Sequence, residues 1–363
     1  MINLLFTIGF GVISLVSIIF SLLFLVVQWA STTLSPRLGL FRDDPLVWRT
    51  FAVAIGAFIF CVTAALAVGT RDRVSVAVPV LAMVLALATL ALMRSLQVRA
   101  FSWIQLSSSL EAIANRGHQV FDSLYAKPHD STARQNFSPA GPGRVVRWPH
   151  AGTLLQQIDV SRLVEKAHQH DSVVVLTQPP GHPLVRQLPV ARVHGGDLPD
   201  DAVLAALLPG AERSFDQDPG LALRLLADIA LRALSPAVND PATAVQAIDH
   251  IEDTLLRLAT QDLDVGQVRD TEGVVRVIVP VPDWNDYLRA ALDDVVVAAR
   301  NSPMCLLRLR TLLQRVLDAC PHERRALPQE RLTWVEGQAT ERFPVVWRAA
   351  VGGEWRADGE NRG

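Results

Sequence analysis

Three runs near the start of this chain, residues 2–27, 51–69 and 74–93, contain no Asp, Glu, Lys or Arg. At 26, 19 and 20 residues, they match the roughly 20 apolar residues that a helix needs to cross the hydrocarbon core of a bilayer. Beyond Arg94 charges are spread throughout, and no further run of this kind occurs. The predicted fold is a membrane α-helical protein with three transmembrane helices, followed by a cytoplasmic α+β domain with a small β element and a helical core.

The flanking charges set the expected topology. Arg37, Arg42, Arg49, Arg94 and Arg99 border the apolar runs on one side, against Arg71 and Arg73 on the other. The positive-inside rule places the five-arginine side, and the domain that follows it, in the cytoplasm and the N-terminus outside. The protein is thus expected to be a multi-pass protein of the inner membrane, with the lipid bilayer as its first partner. The first run lacks a basic n-region and a small-x-small cleavage site and is longer than an h-region, so it is expected to stay in the mature protein. The expected domains are 1–95 (transmembrane, helices at about 2–28, 50–69 and 74–94), a helix over 96–126, a linker over 127–150, and the cytoplasmic α+β domain over 151–363.

Composition excludes some classes. A net charge of −2 with interspersed signs leaves no basic face for nucleic acid. Cys61, Cys305 and Cys320 are too few and too scattered for a zinc site or a disulfide framework, and fit a reducing compartment.

Small or polar residues recur along the first run at Thr7, Gly11, Ser14, Ser21 and Gln28, with Ser17 just off the line. They make one face more polar than the rest. Small residues let helices approach closely in lipid and hydroxyls can bond across the contact, which makes the stripe a packing seam. Polar residues in membranes also line cavities, which makes it a wet path between subunits. No span carries a charge, which argues against a proton relay or a voltage sensor. Pro79 lies near the start of the third run, where a kink costs little. Past the membrane, Trp103, Leu106, Leu110, Ile113, Val120 and Leu124 form a narrow helical stripe interrupted by Gly117. Packing on its own domain is favoured over a coiled coil, because four full heptads are lacking.

Four prolines and two glycines between Lys127 and His150 read as a linker. Short strands are expected at 154–158, 173–176, 181–185 and 190–193. The turn at Gly181, Pro183 and Leu184 has the spacing of carrier modules but no Lys to bear a cofactor, so no cofactor is expected. Asp218-Pro219 reads as a helix start with a capping carboxylate and Ser235-Pro236 as its stop. Asn239-Asp240-Pro241 then opens a second helix. Helices at about 219–234 and 241–260 form an α-hairpin. A strand at 274–279 and helices at about 284–300, 303–319 and 329–348 follow.

Arg224, Asp228 and Arg232 fall at i, i+4 and i+8 on the first hairpin helix, beside the Asn239-Asp240 turn. The structural reading is a register-setting ladder with Asp240 as a helix cap. The functional reading is a pocket for an anion, with two guanidinium forks facing a helix N-terminus. His168 and His170 point to different helix faces, no third ligand is evident, and no metal is expected. Asp293-Asp294 and Glu252-Asp253 read as solvated helix faces. No nucleophile–base pair, metal cluster or Gly-rich phosphate loop is present, so an enzyme is not expected.

The run Gln217-Asp218-Pro219, Arg224, Asp228-Ile229-Ala230, Arg232-Ala233-Leu234-Ser235-Pro236, Asn239-Asp240-Pro241 and Thr243-Ala244 closely resembles the signature of the predicted bacterial membrane proteins grouped as domain of unknown function 2254. The resemblance extends over nearly the whole chain, including Ser35-Pro36-Arg37 and the strand between Gly152 and Asp159. It implies a bacterial membrane protein and supplies no catalytic residues. Members of that group usually carry a further N-terminal membrane helix, making four, where this chain has three. Together these features point to a homo-oligomeric channel or transport-type protein with a cytoplasmic regulatory domain. The alternative is a membrane-anchored sensor or binding module for an anionic ligand or protein partner.

Overall fold

The computed structural model describes residues 2–33, 45–68, 76–104, 106–125, 127–129 and 137–359. Arg37, Arg42, Arg71 and Arg73, the Ser35-Pro36-Arg37 motif and the side chain of Gln28 lie outside the described residues. The chain divides into two compact units, Met1–Ser109 and Leu110–Gly363.

The first unit is built from α1 (Ile2–Thr33), α2 (Pro45–Val68) and α3 (Ala77–Ile104), three helices long and apolar enough to cross a membrane. Small side chains set their packing. Ala54, Ala57, Cys61 and Ala65 line the buried face of α2, and a Cβ on Gly9 of α1 would fall 2.9 Å from the Cys61 Cβ. Such close approach is how helices associate where lipid offers no hydrophobic drive between them. Leu5 packs with Cys61, Ala65 and Ala82, and Val16 packs with Val47, Met93 and Leu96. Helices consecutive in the chain therefore run antiparallel, and Arg49 and Arg94 stand at the same end of this unit.

The second unit begins on α4 (Leu106–Leu124) and continues with a β part and a helical bundle. The β part holds β1 (Arg144–Arg147), β2 (Thr153–Ile158), α5 (Val160–Gln169), β3 (Val173–Leu176), β4 (Pro183–Leu184), β5 (Pro189–His194), α6 (Asp200–Leu204) and β6 (Leu207–Gly210). Strands β7 (Gln267–Arg269) and β8 (Val275–Ile278) return to it after the first two bundle helices. The order is β1-β5-β3-β8-β7 in one sheet and β4-β2-β6 in the other. Only β3 and β8 pair in parallel among the described strands. Val146, Trp148, Leu155, Leu163, Val174 and Val277 fill the core between them.

The bundle comprises α7 (Gly220–Ala233), α8 (Pro241–Ala259), α9 (Trp284–Leu288), a π turn (Arg289–Asp293), α10 (Asp294–Ala299), α11 (Pro303–Ala319), α12 (Ala326–Arg342) and α13 (Pro344–Gly359). The α7–α8 hairpin follows the predicted bounds. Asp240 caps α8 by accepting from the Thr243 N–H at 3.1 Å, and Asn239 closes the turn in the left-handed region at φ +47, which Asn tolerates better than most residues.

Several expectations need correction. The segment read as a linker, 127–150, contains β1, an edge strand antiparallel to β5. Its four residues sit between Gly143 and Pro149, and turn residues so close on both sides hide so short a strand. The helix expected at 284–300 is interrupted by the π turn, and the one at 329–348 is divided before Pro344, which cannot donate to the preceding turn. Asp218 does not cap α7. It lies buried in a two-bond ion pair with Arg213, at 2.5 and 2.8 Å. The side chains of Trp103 and Leu106 lie outside the described residues, but from Leu110 on the stripe packs on its own domain, with Leu110, Ile113 and Val120 buried, and Gly117 belongs to the contact: a Cβ there would fall 2.5 Å from the Ala222 Cβ of α7.

Candidate functional site

In the first unit, α2 and α3 bury the side of α1 that carries Leu5, Gly9 and Val16. Thr7, Gly11, Ser14 and Ser21 all face away and are exposed, and a Cβ on Gly11 would meet nothing within 4 Å. The Thr7 hydroxyl donates to the Asn3 carbonyl at 2.7 Å and the Ser21 hydroxyl to the Ser17 carbonyl at 2.9 Å. Each hydroxyl thus satisfies its donor within its own helix, a common device for Ser and Thr in lipid. Its oxygen keeps acceptor capacity on the outer face.

The α7–α8 cluster is only partly as its spacing suggested. Arg224 pairs with Asp228 at 2.9 Å, and across to α10 with Asp294 at 3.1 Å. Arg232 has no ion pair among the described residues. The Arg224 fork thus already carries two carboxylates. Asp240 accepts from the Thr243 hydroxyl at 2.6 Å, and these Thr243 bonds hold its carboxyl below the usual carboxylate range. Asn239 is exposed and shapes the turn. Of the five residues, Arg224 and Asp228 meet as a pair, whereas Asn239 and Asp240 serve the hairpin backbone.

The signature run also ties the β part to the bundle, a role its spacing did not disclose. Gln217 accepts from the Ile158 N–H at 2.7 Å and donates to the Ile158 carbonyl at 3.0 Å, acting as a side-chain extension of the β2 ladder. Next to it, the Arg213–Asp218 pair presses against Gly181, where a Cβ would fall 2.2 Å from the Asp218 carboxylate. Gly181 has φ +88, so both space and backbone demand glycine.

Charges expected to be solvated take part in buried pairs. Glu252 is buried and binds both Arg308 and Arg315, the latter at 2.8 Å. Asp293 accepts from buried Arg331 at 2.7 Å. Arg324 donates to the Leu258 and Ala259 carbonyls at the C-terminus of α8, at 3.1 and 2.8 Å, and lies over the Trp284 ring. On α4, Asp122 binds Arg257 of α8, and His118 lies 3.3 Å from Asp253. Burial lowers the His118 pKa and outweighs the opposing pull of Asp253. The Tyr125 and Tyr287 hydroxyls meet at 2.5 Å, and burial pushes Tyr125 up to about 12.

One group of side chains has ligand-like spacing. His168, Asp270 and Glu272 offer atoms within 4.8 Å of one another, so sequence reasoning missed the companions of His168, which lie 102 residues and more away. His168 pairs with Asp270 and His170 with Asp197, the divergence expected of an i, i+2 spacing. Arg276 donates to the Asp270 oxygen that faces His168, at 2.7 Å, and holds that carboxyl well below the usual carboxylate range. The other Asp270 oxygen accepts the Glu272 and Val274 N–H groups. A guanidinium in place opposes a cation there, and the group is an ion-pair network that closes the β7–β8 turn on the end of α5.

A family model described as a predicted membrane protein (DUF2254) matches residues 1–315. Similar chains include an uncharacterized protein of Mycobacterium bovis and one of Mycobacterium tuberculosis. Each is 28% identical over 351 residues, an alignment that covers 91% of this chain and 66% of the relative. The chain therefore spans slightly less than two thirds of the length of the curated relatives it matches. No solved structure matches it.

Proposed function

The chain belongs to the DUF2254 family of predicted membrane proteins, and from that premise we propose that it is a homo-oligomeric protein of the inner membrane in which α1 faces from several copies meet. The exposed stripe of Thr7, Gly11, Ser14 and Ser21 carries this reading. Left in lipid it contributes little. Placed against its own copies, it gains close packing and hydroxyl acceptors, each interhelical bond worth about 0.6 kcal/mol in membranes. A ring of such faces would surround a polar path for an ion or small solute, without charges to gate it by voltage. The second unit is then a cytoplasmic regulatory domain, a placement supported by Arg49 and Arg94 standing at one end of the first unit. The proposed role is transport rather than catalysis.

Reconstitution into liposomes with ion-flux measurement tests it. Flux that is lost in Ser14→Leu is the expected result. Assemblies that pass neither ions nor small solutes would reduce the α1 face to a structural seam.

A further inference from the structure

Two charges of the first unit stand inside the membrane-spanning lengths rather than beyond them. The second candidate span covers Pro45–Val68 and the third Ala77–Val98, so Arg49 lies 19 residues before the end of the one and Arg94 17 residues after the start of the other. At about 1.5 Å per residue these are roughly 28 and 26 Å, just short of a hydrocarbon core of roughly 30 Å. Both guanidinium groups therefore come at the hydrocarbon edge. They come there level with one another, because Val47 of α2 packs in one cluster with Met93 and Leu96 of α3.

A guanidinium at that depth is costly unless it finds an acceptor, and its five N–H groups include none of their own. Arg49 and Arg94 are both exposed, and among the described residues neither has an ion pair or a side-chain hydrogen bond. Helices α1, α2 and α3 contain no Asp or Glu. The acids of residues 1–109 are Asp43, Asp44 and Asp72, which lie outside the described residues. Trp48, next to Arg49, is 65% exposed, an aromatic ring of the kind that settles at headgroup level. Leu90 and Leu87, four and seven residues before Arg94 on the same helix face, are exposed as well. An apolar track thus runs from the charge towards the middle of the span.

We propose that Arg49 and Arg94 form a binding site for anionic phospholipid in one leaflet. Their side chains extend along the helices to headgroup phosphates, where guanidinium forks bind strongly. Trp48 sits beside them at headgroup level, and an acyl chain follows Leu90 and Leu87. That track favours a lipid over a soluble phosphate, which has nothing to lay along it. The site belongs to α2 and α3 and stands whether or not α1 faces meet.

The test places the chain in detergent micelles doped with equimolar phosphatidylglycerol and phosphatidylcholine, and native mass spectrometry counts the lipid retained. The expected result is severalfold greater retention of phosphatidylglycerol, lost in Arg49→Gln/Arg94→Gln and kept in Arg71→Gln/Arg73→Gln, which alters the connection between α2 and α3. Equal retention of the two lipids by the wild type would overturn the proposal without any variant. So would a preference that survives Arg49→Gln/Arg94→Gln or disappears in Arg71→Gln/Arg73→Gln, either of which would place the lipid elsewhere. A final arm adds millimolar inorganic phosphate. Phosphatidylglycerol should stay bound, and its complete displacement would assign the two arginines to a soluble anion instead.

Discussion

In the membrane unit the hydroxyls of Thr50, Thr63, Thr89 and Ser95 each donate to the carbonyl four residues earlier in the same helix. In the bundle, Glu252, Arg324 and Arg331 reach partners 38 to 66 residues away. The same need, a hydrogen bond for every polar group out of water, is met locally in one region and across the tertiary structure in the other. The membrane helices are therefore joined by shape, through small residues such as Gly9, Ala54 and Cys61, and their polar atoms are left to other uses. The bundle depends on charges that are costly to orphan.

That contrast predicts different sensitivities. Glu252→Ala removes the buried carboxylate that Arg308 and Arg315 share and leaves half-buried Arg308 with Asp249 as its remaining carboxylate, a loss of up to about 3 kcal/mol. Denaturant unfolding of the detergent-solubilised protein should show this loss in the domain transition. A wild-type midpoint would mean the bundle does not rely on its buried charges. Gly117→Ala forces α4 off Ala222, with an expected overpacking cost of about 1–3 kcal/mol. Hydrogen exchange should report the loss as faster exchange along α4. Unchanged protection would show that the close approach is dispensable.

The third test is titration. Burial lowers the His118 pKa from 6.5, so the docked state prefers the neutral ring. The resulting stability is complete above the unfolded value of 6.5 and is lost as pH falls through the lower folded value. Protection of α4 should therefore decline from pH 7 towards pH 5 in the wild type and lose that dependence in His118→Gln. A flat wild-type profile would contradict it. The smallest effect belongs to the exposed Asp122–Arg257 pair, where Asp122→Asn should cost roughly 0.2–1 kcal/mol and less at high salt. A larger loss would place that pair with the buried ones.

The two regions also differ in how much of them could be read from sequence. The membrane helices declare themselves by charge-free length, and the α7–α8 hairpin by Asp218-Pro219, Ser235-Pro236 and Asn239-Asp240-Pro241. Those signals are local, as is the period of α11. What stayed hidden depends on distant partners. Glu252 and Asp293 look solvated until Arg308, Arg315 and Arg331 arrive from later helices. Asp218 looks like a cap, since nothing nearby marks Arg213 as its partner. The edge strand β1 is too short to show a period between its turn residues. The stripe on α1 was legible as polar, but only the packing of α2 and α3 on its opposite side makes it an outer face.

The central claim is that this outer face joins copies of the chain. Native mass spectrometry of this chain in detergent and in nanodiscs tests it most directly, comparing the wild type with Thr7→Leu/Ser14→Leu/Ser21→Leu. The account predicts a defined oligomer for the wild type and monomers for the triple variant, with unfolding of the domain unchanged. A wild type that is monomeric in both environments, or a triple variant that keeps its stoichiometry, would contradict it.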